Sequence, residues 1–356
     1  LLIMSDKKIS SPAASIIKLF IIFILFTPNS MAEKNNIKYY SEEHGILSLM
    51  YHRFNENKYP STNIQMDIFK EQIQIIKKLN YDFYDPGDLE KNFLIPKLRK
   101  KILLTVDDAF YSFYEQAWPY LKKNRIPFIL FVSTETIGKF GYMNWGQIKE
   151  LEKENFAYIG NHSHSHNYFV DLSHEYFLND MEKSNRIFSK ELGYNPIFFS
   201  YPFGEYSNKI KKYISKNFKF SFGQHSGVID LNKNKHELPR FPINEKYGDI
   251  KRFKFLINLE PLQYKEMAPD EKYLNIENNP PDFFVEFFDN QKNLKNINCF
   301  SNEGVNWQKS DITIKKKILT INFKNKFLSR RGRINCSLND DGTWRWFGFQ
   351  FSIKNF

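Results

Sequence analysis

The period of apolar and polar positions changes along the chain, and the changes mark out two regions. Ile46–Tyr51 is one short apolar run, as in a buried strand. Phe69, Ile73, Ile76 and Leu79 then recur at three- and four-residue spacing, which predicts a helix with one apolar face. The alternation continues. Residues 101–106 predict a strand, 111–123 a helix bent or broken at Pro119, 127–132 a strand, 144–154 a helix and 156–160 a strand. A long helix follows the cap residue Ser173, residues 197–201 predict a further strand, and another helix opens after Gly204. Repeated strand–helix units predict an α/β fold with a parallel sheet closed into a barrel, whose chemistry sits at the carboxyl ends of the strands.

Beyond residue 256 the pattern is different. Pro261, Pro269, Pro280 and Pro281 fall among many charges, so residues 257–282 read as a linker or an extended crossing segment. Short β-rich runs follow at 283–288, 294–299, 312–315, 318–323, 333–338 and 344–353, with Asp341-Gly342 as a hairpin turn. They predict a small antiparallel, β-sandwich-like domain over residues 283–356. In its last run Trp344 and Trp346 share one face and Phe347, Phe349 and Phe351 the other, so one set builds the core.

Composition adds three points. With 42% hydrophobic and 17% aromatic residues in 356, the chain can bury a large domain and a small one, which excludes disorder as a global state. The net charge of +11 invites an anionic partner, but the lysines are scattered among Asn, Ile and Phe. No basic run is interleaved with stacking aromatics, which argues against nucleic acid. At the N-terminus, Lys7 and Lys8 precede an apolar stretch over residues 16–26 interrupted by Lys18, and Ser30-Met31-Ala32 offers small residues at a cleavage site. Residues 1–32 are therefore expected to be a signal peptide. The uninterrupted apolar core, 19–26, is too short for a stable membrane span, and export to the periplasm, cell envelope or medium is expected. In an exported chain the two cysteines, Cys299 and Cys336, are free to bridge; two separately buried thiols are the alternative.

The candidate chemistry lies at two strand ends. Leu103-Leu104-Thr105-Val106 runs into Asp107-Asp108, and Ile159-Gly160-Asn161 runs into His162-Ser163-His164-Ser165-His166. One carboxylate and two imidazoles can hold a divalent ion while the second carboxylate serves as a base. Adjacent carboxylates repel, which itself argues for a cation between them. Asp108, His162 and His166 are the expected ligands and Asp107 the expected base. A fully extended 162–166 would instead bring His162, His164 and His166 to one face as a three-His site.

These segments belong to a series in register. Leu49-Met50-Tyr51-His52-Arg53, Thr105-Val106-Asp107-Asp108, Asn144-Trp145, His162-Ser163-x-x-His166 and Tyr201-Pro202-Phe203-Gly204, spread over residues 45–245, resemble the signatures of the polysaccharide deacetylases of the NodB-homology type, carbohydrate esterase family 4. The resemblance implies a distorted, incomplete (β/α) barrel over 45–256. It also implies the same three ligands, a divalent metal with zinc preferred, and removal of N-acetyl groups from a cell-surface or extracellular polysaccharide or oligosaccharide. The same chemistry on another amide or an O-acetyl ester, or a catalytically silent carbohydrate-binding protein, are the rival readings.

The chain departs from the family at Val106, usually Phe, and Ala109, usually Gly. Tyr201, Pro202, Phe203 and Gly204 would form a groove wall binding substrate, but Ser200 stands where the family has Arg. Arg240, in Leu238-Pro239-Arg240, could supply that guanidinium beside the base. The family's usual Leu-x-His motif for a general acid is not evident. His225 is the best-placed replacement, with His52 or His236 as alternatives and His52 otherwise a substrate-binding rim residue. The C-terminal aromatic face opposite the core would be either plain surface or a sugar-stacking platform.

Overall fold

A computed structural model describes residues 45–94 and 101–354; the targeting segment expected at 1–32 lies outside them. Six parallel strands lie side by side in chain order: β1 (Ile46–Tyr51), β2 (Lys101–Asp107), β3 (Phe128–Val132), β4 (Ala157–Asn161), β5 (Phe198–Ser200) and β6 (Phe220–Phe222). β7 (Val228–Ile229) pairs antiparallel with β1, and β8 (Phe241–Pro242) pairs parallel with β1 farther along. The strand order runs from β7 at one edge to β6 at the other, and among the described residues only the single bridge Phe222–Leu238 links β6 to the segment that leads into β8. The sheet is a curled half-barrel, not the closed barrel that periodicity alone predicts. β1 and β3 are buried at every position, as expected of strands covered on both faces.

The helices follow local rules. α1 (Met66–Lys78) buries Phe69, Ile73 and Ile76 on one side. The segment around Pro119 does break: a π-turn at Phe113–Ala117 gives way to α2 (Trp118–Asn124), with the proline in the first turn, where its missing N–H is not needed. α3 (Trp145–Glu152) begins at Asn144, whose side chain accepts from the Gln147 N–H while the Gln147 side chain accepts from the Asn144 N–H. α4 (His174–Leu192) is capped by Ser173 and ends at Gly193 with φ 83°. α5 (Asn208–Asn217) and α6 (Ile250–Leu256) follow in this region. Among the described residues no helix is long and apolar enough to cross a membrane.

Residues 257–282 are not a free linker. β9 (Glu260–Pro261) and β11 (Tyr273–Leu274) run parallel to the last strand, while β10 (Glu266–Ala268) pairs antiparallel with β12 (Phe283–Glu286). Leu262 and Leu274 are core residues, and the pairing covers a strand edge that would otherwise expose unpaired amides. One sheet contains β13 (Ile297–Ser301); the other adds β14 (Ile312–Lys315) and β15 (Ile318–Ile321) to β10 and β12. The long hairpin of β16 (Arg331–Asp340) and β17 (Thr343–Ile353) completes the first sheet. Ile334, Cys336, Leu338, Phe347, Phe349 and Phe351 meet Phe283, Val285, Leu319 and Ile321 between the sheets. The result is a β-sandwich, mostly antiparallel, with two short parallel additions. Cys299 and Cys336 face each other on β13 and β16 and form a disulfide.

The sandwich packs directly on the mouth of the half-barrel. A Cβ at Gly348 would lie 2.2 Å from the Ser226 carbonyl oxygen, so only glycine permits this approach. Gln350 donates to the carbonyls of Phe203 and Gly204 at 2.9 and 3.1 Å. Buried Glu205 accepts from both Arg330 and Arg331.

Candidate active site

Asp107 is the last residue of β2 and fully buried. Straight continuation would send Asp108 to the opposite face. Instead Asp108 and Ala109 take φ values of 75° and 53°, and the chain turns so that both carboxylates approach His162. Left-handed backbone at a residue with a Cβ costs roughly 1–2 kcal/mol, strain of a kind that concentrates at functional sites. It also accounts for the residue types at this point: Ala109 occupies a conformation that glycine adopts most easily.

The second ligand segment leaves β4 at Asn161. It does not turn helically; Ser163 at φ 69° and His166 at φ 53° reverse the chain, so the two imidazoles converge. Short polar groups hold this loop. Asn161 Oδ1 accepts from the Ser163 N–H at 2.7 Å, Ser163 Oγ from the His166 N–H at 3.0 Å, and the Asp180 carboxylate from the His164 and Ser165 N–H groups. Ser163 is thus fully buried and braces His166. His164 turns away to Thr134, 2.8 Å from its hydroxyl, so the extended three-His arrangement is not formed.

His162 Nδ1–H donates to the Ser200 carbonyl at 2.7 Å, which fixes the tautomer and leaves the Nε2 lone pair free. Burial, its largest influence, pushes the imidazole pKa down to about 4. Nε2 is buried without a hydrogen-bond partner and lies 3.6 Å from Asp108 Oδ1; His166 Nε2 is 3.4 Å from the same oxygen. All three ligand atoms lie within 4.8 Å of one another. A tetrahedral ion with bonds of about 2.0–2.2 Å separates its ligand atoms by roughly 3.3–3.6 Å, so an orphaned lone pair and this spacing fit a divalent cation.

Asp107 makes a two-pronged pair with Arg240, at 2.7 Å from Nη1 to Oδ1 and 2.9 Å from Nη2 to Oδ2, both side chains being fully buried. The guanidinium also donates to the Gly223 carbonyl, the Ser200 hydroxyl and the Thr105 hydroxyl. Burial alone would raise the Asp107 pKa, but Arg240 and His162 outweigh it and hold the carboxyl well below the usual range. Ser200, where the family has arginine, accepts from Arg240 through its hydroxyl and from His162 through its carbonyl.

The Tyr201–Gly204 segment is divided. Tyr201 is not in the groove wall: it is buried in the core, and its hydroxyl donates to the His236 carbonyl. Pro202 and Gly204 are buried as well, and the Gly204 N–H is taken by the Tyr201 carbonyl at 2.8 Å. Phe203, at φ 59°, alone of the four lines the cavity; it stacks on Tyr168 and meets the His166 ring edge-on at 4.4 Å between centroids. His236 is buried against Ser221, outside the cavity lining. His52 and His225 both line the cavity. The charged neighbours of His52 are Asp107, Asp108, Arg240 and His166; those of His225 are Glu237, Lys272 and Arg240. The charges of Asp107, Asp108 and His166 therefore act on His52, while Glu237 and Lys272 act on His225.

The cavity measures about 650 Å³ and is shared between the two regions of the chain. Trp307, Arg331, Arg333, Asn335, Trp346 and Phe349 enter it from the sandwich. Sequence reasoning did not place the arginines there. The available signal was the alternation of Arg331, Arg333 and Asn335 with Ile334, Cys336 and Leu338, which left a polar face needing a partner.

Residues 95–220 match the polysaccharide deacetylase family model. Poly-beta-1,6-N-acetyl-D-glucosamine N-deacetylase of Staphylococcus epidermidis is 23% identical over 245 residues, covering 61% of this chain and 85% of the relative. The Staphylococcus aureus protein of the same description is 24% identical over 57% of this chain and 80% of its own. Among solved structures, Streptococcus pyogenes deacetylase PplD in complex with acetate aligns with a TM-score of 0.55 and 23% identity over 60% of this chain and 98% of its own. IcaB from Ammonifex degensii gives 0.53 and 22% over 60% and 97%. These two share the half-barrel; the matched share of this chain leaves room for the sandwich as an addition. The motifs, the fold and the family match agree: residues 95–220 of this chain are similar to the polysaccharide deacetylase family.

Proposed function

We propose that the protein is an exported, metal-dependent hydrolase that removes acetyl groups from N-acetylglucosamine residues of an extracellular polysaccharide. The observation that carries the reading is the convergence of Asp108, His162 and His166 beside the Asp107–Arg240 pair at the mouth of a sugar-sized cavity. Those three side chains would hold the ion, zinc by the donor set. When bound, a divalent ion supplies a Lewis acid that polarises the acetamide carbonyl and makes water a better nucleophile.

The chain's own groups supply the rest. Asp107 takes the proton from the attacking water, and Arg240 holds its carboxylate in one orientation. The water oxygen adds to the carbonyl carbon, the carbon–nitrogen bond breaks, and the nitrogen needs a proton to leave as an amine. His52, on which the charges of Asp107, Asp108 and His166 act, is assigned that role; His225 lines the same cavity. Phe203 forms the groove wall beside His166.

Acetate release by the zinc-loaded chain from N-acetylglucosamine oligomers, β-1,6-linked ones included, tests the proposal. Asp107→Asn should lose a factor of roughly 10²–10⁴ in rate while keeping its zinc. No release from any oligomer by the wild type, or unimpaired release by the variant, refutes it.

A further inference from the structure

The catalytic reading leaves the charge on the sandwich face unused. Ile334, Cys336 and Leu338 alternate into the sandwich core, so Arg331, Arg333 and Asn335 share the opposite face of β16, and all three line the cavity that holds Asp108 and His166. Arg331 is compensated, since its Nε donates to Glu205 at 2.9 Å. Arg333 is not: its Nε donates to the neutral Gln350 Oε1 at 3.1 Å, and among the described residues no carboxylate forms an ion pair with it. Arg252, at the α6 side of the same cavity, is in the same condition. It donates to the Tyr247 carbonyl and lies over the Tyr247 ring, with no ion pair among the described residues.

The cavity lining thus holds Lys246, Arg252, Arg331 and Arg333 against one carboxylate, Asp108, which the metal centre uses. A half-buried guanidinium with no ion-pair partner is unfavourable, and burial, followed by the neighbouring Arg331, lowers the Arg333 pKa by more than Tyr247 and Glu205 raise it. The group that relieves this is a planar anion accepting two N–H donors of the fork. The surroundings suit a sugar: Trp307 is 46% exposed at the rim, and the buried indole N–H of Trp346 has no acceptor.

We infer that the wall contributed by the sandwich is a subsite for an acidic sugar whose carboxylate is held by Arg333 and Arg252, so that the substrate is an N-acetylated polysaccharide carrying uronic-acid residues. The choice of substrate rests on the deacetylase reading; the anion site does not.

The test is calorimetric titration of the full chain with a short oligosaccharide alternating N-acetylglucosamine and glucuronate, and with the same oligosaccharide after its carboxyls are reduced to alcohols. Linkage and length are identical in the two, so only charge differs. The acidic form should bind about 10-fold tighter or more, the usual range for charge-assisted hydrogen bonds. Arg333→Gln should bring the two affinities together, and Arg333→Lys, which keeps the charge without the fork, should restore part of the difference. Equal affinity of the wild type for the two forms overturns the inference without any variant needing to fold. Failure of the deacetylase reading is seen elsewhere, in acetate release, on which the titration does not depend.

Discussion

Arg240→Gln perturbs the most heavily connected polar group in the site. In the native chain the Asp107 carboxylate is fully buried, and two of its strong contacts are the guanidinium hydrogen bonds of 2.7 and 2.9 Å; the next cationic candidate, His162 Nε2, is 3.8 Å away. Removing the arginine leaves a buried carboxylate without its counter-charge and orphans the Gly223 carbonyl. Breaking a buried pair from one side costs about 3–5 kcal/mol. Asp107→Asn should cost a comparable amount, because it strands the guanidinium. The double variant Asp107→Asn/Arg240→Gln removes both charges and leaves two neutral amides that can bond each other, so its loss should fall short of the sum by about 1–3 kcal/mol. Urea denaturation of all four proteins at pH 7, with a chelator present so that metal binding does not contribute, measures the cycle. Losses that add to within about 0.5 kcal/mol would refute the coupling and with it the claim that Arg240 is there to hold Asp107.

Asp108→Ala and His166→Ala should each abolish stoichiometric zinc binding by elemental analysis while His164→Ala retains it, since His164 faces Thr134; loss of zinc in His164→Ala with retention in Asp108→Ala would return the three-His arrangement to contention. His236, 7% exposed and with its pKa pushed down to about 4 by burial and then by Lys235, gives a signed pH dependence. Between an unfolded value of about 6.5 and the folded value the unfolded chain binds the proton that the folded chain refuses, so stability falls as pH drops through that window, by about 1–3 kcal/mol. His236→Gln should flatten that part of the difference in denaturation free energy between pH 7 and 4.5; an unchanged slope would rule it out. The Cys299–Cys336 bridge closes a segment with a sequence separation of 37, worth about 3–4 kcal/mol in the chain-entropy model. The double alanine variant should unfold at correspondingly lower denaturant, and an unchanged midpoint would refute that contribution.

Local patterns were legible where local physics is decisive. The strand at Ile46–Tyr51, the caps at Asn144 and Ser173, and the break at Pro119 each depend on residues within one turn of one another. The convergence of Asp108, His162 and His166 beside Asp107 was legible because strand ends in a parallel sheet gather at one mouth. Misread points depended on partners distant in sequence. Residues 257–282 look like a linker because prolines and charges dominate them, yet the edge of β17 gives β9 and β11 a ladder to join. Tyr201 reads as groove wall from its motif, but it turns inward once β5 and β6 pair around it.

The sequence by itself determined the elements, the residue types able to hold a metal and the core faces of the strands, because hydrophobic period and side-chain chemistry are properties of neighbouring positions. Only the tertiary structure decided what those elements face. A β-strand has two faces, and the sequence of β16 fixes that Ile334, Cys336 and Leu338 take one and Arg331 and Arg333 the other. It does not fix whether the polar face meets water or another part of the chain. Here Gly348 lets the sheet come close enough to Ser226 for that face to wall the cavity that Asp108 and His166 line, and ordinary-looking arginines come to face them.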